Sequence, residues 1–391
     1  MRIERIIAQR LKDINPSPTL AITAKAKKLK QEGKDIVNFA GGEPDFDTPL
    51  FIKQAAIEAI NSGFTKYTPS TGIPELKKLI SEKFKKDNSL DYSPEQIVVS
   101  CGAKHSIFNA LLTLINPQDE VLIPSPHWVS YQEMVKICEG IPRFIPTSAE
   151  DNFKINIKQL ERYIGKKTKL LILNSPSNPT GCVYNLDELK EISSLCVEKK
   201  IFVISDEVYE NFIYDNHKHI SIASLNQDIY NLTITINGVS KSFSMTGWRI
   251  GYLGGPVEII EAISKLQDHS TSNPTSISQK AALIALSTNN KFLIEIKEEF
   301  QKRRDYLVSR LKRIKKLSFV IPEGAFYIFC DITKTELDSL TFANRLLEEA
   351  MVSVIPGKDF GSDNHIRISF ATDIEQIKKG IDRLEEWINK L

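Results

Sequence analysis

Residues 170–206 read LLILNSPSNPTGCVYNLDELKEISSLCVEKKIFVISD. Two apolar runs, Leu170 to Leu173 and Phe202 to Ser205, bracket a polar Pro-bearing loop and an amphipathic stretch. That order makes a strand, a crossover helix and a second strand parallel to the first. The alternation extends in both directions, with further strands predicted over Ile97 to Ser100, Glu120 to Pro124, Leu232 to Ile236 and Ile250 to Leu253. The fold class is therefore α/β, a largely parallel sheet covered by helices on both faces. In such sheets ligands sit where strands deliver their carboxyl ends. The loops in question read SCGAKHS, PSPHWVSY, NSPSNPTG, SDEVYE and NGVSKSFSMTGWRIG.

From about Asn289 the pattern changes to a long charged helix through Lys316, then PEGAFYIF, a helix from Thr341 to Ala350, VSVIP, HIRISFA and a final amphipathic helix. This predicts a second, smaller α+β lobe, joined by the segment around Ile36 to Asp45. A chain of 391 residues exceeds what one core usually serves, so two lobes are expected on size as well. Lys and Arg number 51 against 49 acidic residues, and that balance argues against a nucleic-acid backbone as partner. Five scattered cysteines with no C-x-x-C pair give neither a disulfide framework nor a zinc site and fit a reducing cytoplasm. No apolar run approaches a membrane span of about 20 residues, and the first residues carry charges throughout, without the apolar core of a signal peptide.

Several residues in the loops carry chemistry. Lys241 follows a strand and sits among small and hydroxyl residues, with Trp248 and Arg249 just beyond; a desolvated lysine near other cations becomes a nucleophile for carbonyls. Asp206 follows directly on a strand, either as a buried anion for a cationic ligand or as a helix N-cap. Cys101-Gly102-Ala103-Lys104 joins a strand to a helix, a turn that can bind anions. Asn178 lies in a turn. Arg367, inside the short apolar run HIRISF, is either an edge charge or a fork aimed at a carboxylate. His217 and His219 form an H-x-H pair with no third ligand nearby in sequence, so a surface loop is expected there and no metal site.

The words AGGEPDFDTP, TKYTPSTGIPELK, PHWVSY, NSPSNPTG, SDEVYE, VSKSFSMTGWRIGY, PEGAFY and HIRISFAT occur in this order along the chain. In them the sequence resembles the class I aminotransferases of fold type I, specifically the prokaryotic aspartate aminotransferase branch. The resemblance implies a three-layer fold with a mostly parallel central sheet. It divides the chain into an arm over residues 1–15, a small domain over 16–45 and 290–391, and a large cofactor domain over 46–289. It implies that Lys241 holds pyridoxal 5′-phosphate as a Schiff base and shuttles the substrate proton, and that Asp206 keeps the pyridine nitrogen protonated. By the same resemblance Asn178 and Tyr209 bond the ring's phenolate oxygen, Trp128 stacks on the ring, and Gly102, Ala103, Lys104 and Arg249 hold the phosphate. Arg367 and Gly42 are implied at the substrate α-carboxylate, with Trp128 and Asn178 also beside the substrate. Tyr67 would reach the phosphate of a neighbouring subunit, which makes the working unit a homodimer with shared active sites.

The implied reaction is a ping-pong transamination of L-aspartate and 2-oxoglutarate to oxaloacetate and L-glutamate. Transamination of aromatic or other amino acids, prephenate included, and a β-lyase reaction are the alternatives, and a non-catalytic regulator is disfavoured because no attached DNA-binding domain is read. Lys104, with a hydroxyl from a partner loop at 269–274, is implied to face the distal carboxylate. Three positions depart from the family pattern: His105 replaces a usual Gln, His127 a common Tyr, and Asn15 a Lys seen in members that accept prephenate. The two histidines could alter the pocket's polarity, and Asn15 lowers the expectation of prephenate activity.

Overall fold

The computed structural model describes residues 7–12, 14, 18–288 and 291–391; Asn15 and most of the arm expected over 1–15 lie outside them. In chain order the strands are β1 (Val37–Asn38), β2 (Ile97–Ser100), β3 (Glu120–Ser125), β4 (Ile141–Pro146), β5 (Thr168–Asn174), β6 (Phe202–Asp206), β7 (Thr233–Gly238), β8 (Gly251–Gly254), β9 (Ser318–Phe319), β10 (Tyr327–Asp331), β11 (Val352–Ser353), β12 (Ile355–Pro356) and β13 (His365–Ser369). Seven of them form one sheet in the order β2-β8-β7-β6-β5-β3-β4. Within it only the pairings made by β8 are antiparallel. The predicted strands all form. The one not anticipated is β4, whose sequence IPRFIP carries two prolines and a largely outward-facing pattern; an edge strand tolerates both.

Period-two alternation decides how the sheet is covered. Val121, Ile123, Leu170, Ile172 and Ile204 pack into one apolar cluster, while their neighbours Leu122, Leu171, Leu173 and Val203 pack into another. Both faces are thus buried under helices. The helix between β5 and β6, Leu186–Lys199, shows how sequence sets such a cover. Its Asn185 side chain accepts from the N–H groups of Asp187 and Glu188, and Glu188 answers by accepting from Asn185 N at 2.7 Å. This reciprocal cap starts the helix, Lys200 in a left-handed conformation ends it, and Leu189, Ile192 and Cys196 face the sheet.

A second core gathers Val37 and Phe39 with Phe300, Phe326, Phe342, Ile366, Ile381 and Trp387. Around it lie the antiparallel sheet β12-β13-β10-β9 and the short parallel pair β1 with β11. Tyr209, Phe212 and Tyr214, from the loop after β6, join this core. The seam between the two cores therefore runs past the ends of the central strands. At this seam Gly181, at φ +71°, offers its carbonyl to the N–H groups of Glu323 and Gly324 at 3.0 and 2.8 Å. No described helix is long and apolar enough to cross a membrane.

Phe326 is fully buried and its ring lies 5.3–5.8 Å from those of Tyr209, Phe212 and Phe300. Phe326→Ala should destabilise the second core by about 3–5 kcal/mol, read as a lowered denaturant midpoint in near-ultraviolet circular dichroism.

Candidate active site

A cavity of about 450 Å³ opens at this seam and is walled by both cores. Its lining includes Gly42, Ala103, Lys104, Trp128, Asn178, Asp206, Tyr209, Lys241, Arg249 and Arg367. These come from seven separate stretches of chain, brought together because the strand ends converge there.

Lys241 stands in the turn that follows β7. Its Nζ donates to the Gly42 carbonyl at 2.6 Å and lies 6.0 Å from the centre of the Tyr209 ring. Burial pulls the amine down to about 8, with Arg367 and Arg249 pushing the same way against Glu43 and Asp206. A sizeable neutral fraction near pH 8 is what an amine needs to attack carbonyls or to carry a proton.

Asp206 ends β6 and is 3% exposed. Burial lifts its carboxyl to about 6, opposed by hydrogen bonds from Tyr131 and from the Val208 N–H. The Tyr131 hydroxyl donates to Oδ2 at 2.5 Å, and no cation among the described residues pairs with the carboxylate. Tyr131 has no role in the sequence reading, though it closes the word PHWVSY; only its contact with Asp206 reveals it.

Opposite these lies the start of the helix Ala103–Leu114. Gly102 precedes it at φ +91°, and a Cβ there would run into the Arg249 guanidinium. Gly102 N–H turns to the Ser100 carbonyl at 2.7 Å, while those of Ala103 and Lys104, in the first turn, have no intrahelical acceptor. Arg249 is fixed by the carbonyls of Thr246 and Cys101 at 2.8 and 3.3 Å. Together they form an anion cradle. The Lys104 Nζ sits 5.0 Å from the centre of the Trp128 ring, its pKa lowered by burial and by Arg249.

Arg367 comes from β13 and is 3% exposed. Its Nη1 donates to Asn178 Oδ1 at 3.0 Å and its Nη2 to the Ala40 carbonyl at 2.9 Å, while Nε has no partner among the described residues. The guanidinium lies 4.3 Å from the ring centre of Tyr327. No carboxylate among the described residues pairs with it, so it is a buried fork in wait for an anion. Tyr327, whose hydroxyl bonds that of Tyr209 at 2.9 Å, is a second wall residue the sequence did not reveal; Asn174, which accepts from Asn178 N at 2.9 Å, is a third.

Some expected residues stay apart. Tyr67 is 90% exposed and does not line the cavity, and neither does the exposed loop at 269–272. His105 and His127 also fall outside the lining of this cavity. His105 Nδ1 instead accepts from Cys101 N at 3.3 Å, and His127 is buried against Phe144, where burial drives it to about 4. The H-x-H pair divides. His217 is exposed as expected, but His219 is buried, with Nε2 at 2.7 Å from Glu207.

Residues 34–384 match the family model for class I and II aminotransferases. The chain belongs to this family. An aspartate aminotransferase of Bacillus sp. (strain YM-2) is 46% identical over 391 residues, covering 99% of this chain and 100% of that one. An aspartate/prephenate aminotransferase of Nitrosomonas europaea is 44% identical, covering 98% and 100%. The crystal structure of the aspartate aminotransferase of Rhizobium meliloti superposes with a TM-score of 0.94 at 41% identity, covering 98% and 99%. In this aminotransferase the loops at the strand ends thus converge on one cavity.

Arg367 is one of the cations that hold the Lys241 amine down. Arg367→Gln should raise the pKa of that amine above about 8, because removing a nearby cation favours the charged form; slower modification of Lys241 by an amine reagent in the cofactor-free chain would report it.

Proposed function

We propose that the protein transfers the amino group of L-aspartate to 2-oxoglutarate, giving oxaloacetate and L-glutamate, with pyridoxal 5′-phosphate as cofactor. The observation that carries the reading is Arg367, a buried guanidinium without a counter-ion in the same cavity as a lowered lysine amine. The donor set fits the cofactor. Arg249 with the first-turn N–H groups of Ala103 and Lys104 suits a phosphate, Asp206 suits a protonated ring nitrogen, and Trp128 suits a flat ring. When bound, pyridoxal phosphate supplies the aldehyde that takes up the amino group and a ring that draws off the electron pair left at the substrate Cα.

The chain's own residues do the rest. Arg367 grips the α-carboxylate and so fixes which substrate bond faces the Lys241 amine. Lys241 Nζ would take the proton from the substrate Cα and give it back on the carbon beyond the amino nitrogen, a task suited to an amine near neutrality. Asp206 keeps its negative charge against burial through the Tyr131 and Val208 donors. Asn178 and the paired hydroxyls of Tyr209 and Tyr327 offer hydrogen bonds at the ring's oxygen side. Lys104, facing the cavity, is the cation for the distal carboxylate of a dicarboxylic substrate. Movement of residues 16–45 and 290–391 against 46–289 would expel water around the substrate.

The working unit on this reading is a homodimer. Leu50, Phe51, Ile57 and Ile60 leave the helix Leu50–Asn61 with exposed apolar side chains, and Tyr67 follows shortly after. Tyr67 and the 269–274 loop, assigned to the neighbouring site, lie far apart in sequence yet in adjoining segments. Gln279 Nε2 donates to Thr68 Oγ1 at 2.9 Å and Ser276 Oγ to the Phe64 carbonyl at 3.0 Å. One surface thus presents both. A cytoplasmic setting agrees with five free cysteines.

Purified protein given aspartate, 2-oxoglutarate and malate dehydrogenase should oxidise NADH, faster than comparable assays with phenylalanine or cystathionine, and Lys241→Ala should remove the activity by orders of magnitude. Turnover of phenylalanine or cystathionine in preference to aspartate would replace the substrate assignment. Sedimentation equilibrium should give twice the chain mass, and a charge at Ile60, as in Ile60→Glu, should shift it toward monomer with loss of activity.

A further inference from the structure

His219, the half of the H-x-H pair that is not a surface residue, lies in a buried ionic cluster behind the strand end that carries Asp206. Glu207 is its centre and accepts from four side chains: His219 Nε2 at 2.7 Å, Ser205 Oγ at 2.7 Å, Ser221 Oγ at 2.7 Å and Asn88 Nδ2 at 3.0 Å. The same Asn88 amide reaches Glu210 at 2.7 Å, and Lys83 pairs with Glu210. Side-chain exposures of His219, Glu207, Glu210 and Lys83 are 8%, 1%, 5% and 10%. Water screens little of this.

Counting charges decides the state of the imidazole. With both carboxylates ionised and Lys83 charged, these four groups carry one uncompensated negative charge unless His219 is protonated, and an ionised Asp87, 3.9 Å from Lys83, adds to that need. The second carboxylate, Glu210, stands 3.9 Å from His219 Nε2 as well. Burial works to lower the pKa of His219, but Glu207 and Glu210 carry the net shift upward, with Lys83 opposing. Its Nδ1 has no partner among the described residues and is the end from which the proton would leave. The other titratable groups at hand are Asp87, 3.9 Å from Lys83, and the buried hydroxyls of Tyr92 and Tyr252, which burial keeps neutral. One ligand atom from each of Glu207, Glu210 and His219 lies within 4.8 Å of the others, a spacing a metal ion could use. Lys83 and Asn88 already cover those carboxylates with donors, so the cluster is built to hold a proton.

We propose that protonated His219 is a positioning residue for the reaction: by neutralising the cluster at Glu207 it lets Asp206, the next residue back along the chain, keep its own negative charge inside the cavity wall. The link is physical. Glu207 continues the ladder of β6 through its N–H to the Ile236 carbonyl at 3.0 Å, so the two carboxylates are fixed on opposite sides of one strand end. An uncompensated Glu207 charge would push the Asp206 proton affinity up, the direction in which Glu207 already acts. The importance for catalysis rests on the aminotransferase reading; the charge relation does not.

Charge-changing variants separate this role from simple support of the fold. The carbon-13 carboxyl signal of Asp206, titrated in the full chain before cofactor is added, is the readout. His219→Gln should leave the cluster one charge too negative and move the Asp206 midpoint up from about 6, by about one pH unit. Glu207→Gln should leave it one charge too positive and move the midpoint down by a similar amount. The double variant restores the parent's net charge and should bring the midpoint back toward the parent. A purely structural role would loosen and hydrate the strand end in both single variants and shift both downward. Shifts of the same sign, no shift, or a His219 imidazole that nitrogen-15 spectra find neutral at neutral pH would overturn the proposal. Should His219→Gln fail to fold, the double variant measured against Glu207→Gln still decides it, an upward return supporting the charge role and a further downward shift overturning it, and the parent's imidazole spectrum is an independent check. With pyridoxal phosphate added, the pH dependence of its visible band should follow the same order, and failure there alone would count against the cofactor assignment instead.

Discussion

A guanidinium buried without a counter-ion is an expensive object, and the placement of Arg367 organises much of what surrounds it. Taking such a charge out of water costs several kcal/mol even after relaxation. Here the cost is offset by the carbonyl of Ala40, the amide oxygen of Asn178 and the face of Tyr327. Each of those partners is itself fixed. Ala40 follows the strand β1 that β11 holds in parallel, Asn178 is tethered to Asn174 at the end of β5, and Tyr327 begins β10 beside β13. Keeping one unsatisfied cation dry therefore demands that both cores meet at the same cavity.

Two other ionisable groups of the cavity, Lys241 and Asp206, are displaced from their ordinary values in complementary senses. An amine is drawn down and a carboxyl is drawn up, both by burial. Neither displacement needs an unusual residue; it needs low exposure and the right neighbours. A carboxyl raised in this way gains from a cation placed against it, since such a partner favours the charged form and answers the same burial that raised it.

How much of this could be read from the residues alone differs by feature. The central sheet was legible because its strands are short, apolar and bounded by turn chemistry, and because both faces are covered, so each reads as a continuous run. β4 was not, since its outward-facing, proline-bearing sequence resembles a loop until its neighbour is known. Lys241, Asp206 and Arg367 were legible as ordered words. Tyr131 and Tyr327 were not, because a tyrosine in an apolar context reads as core, and only the partner across the cavity tells otherwise. His219 was misread for a related reason. Its neighbours in sequence are polar and suggest a surface, whereas its actual neighbours, Lys83, Asn88, Glu207 and Glu210, come from two other segments.

Adjacent residues at the end of β6 serve opposite sides of the sheet, one facing the cavity and one facing the ionic cluster. Since side chains along a strand alternate, shifting that strand by a single position would send Glu207 toward the reacting groups and leave Asp206 among Asn88, Ser221 and His219. Both sites would fail at once. The segment from Phe202 to Glu207 can therefore accept point substitutions at its apolar positions during evolutionary drift, but insertions and deletions within it are closed off, and its length should stay constant among related chains even where the letters change.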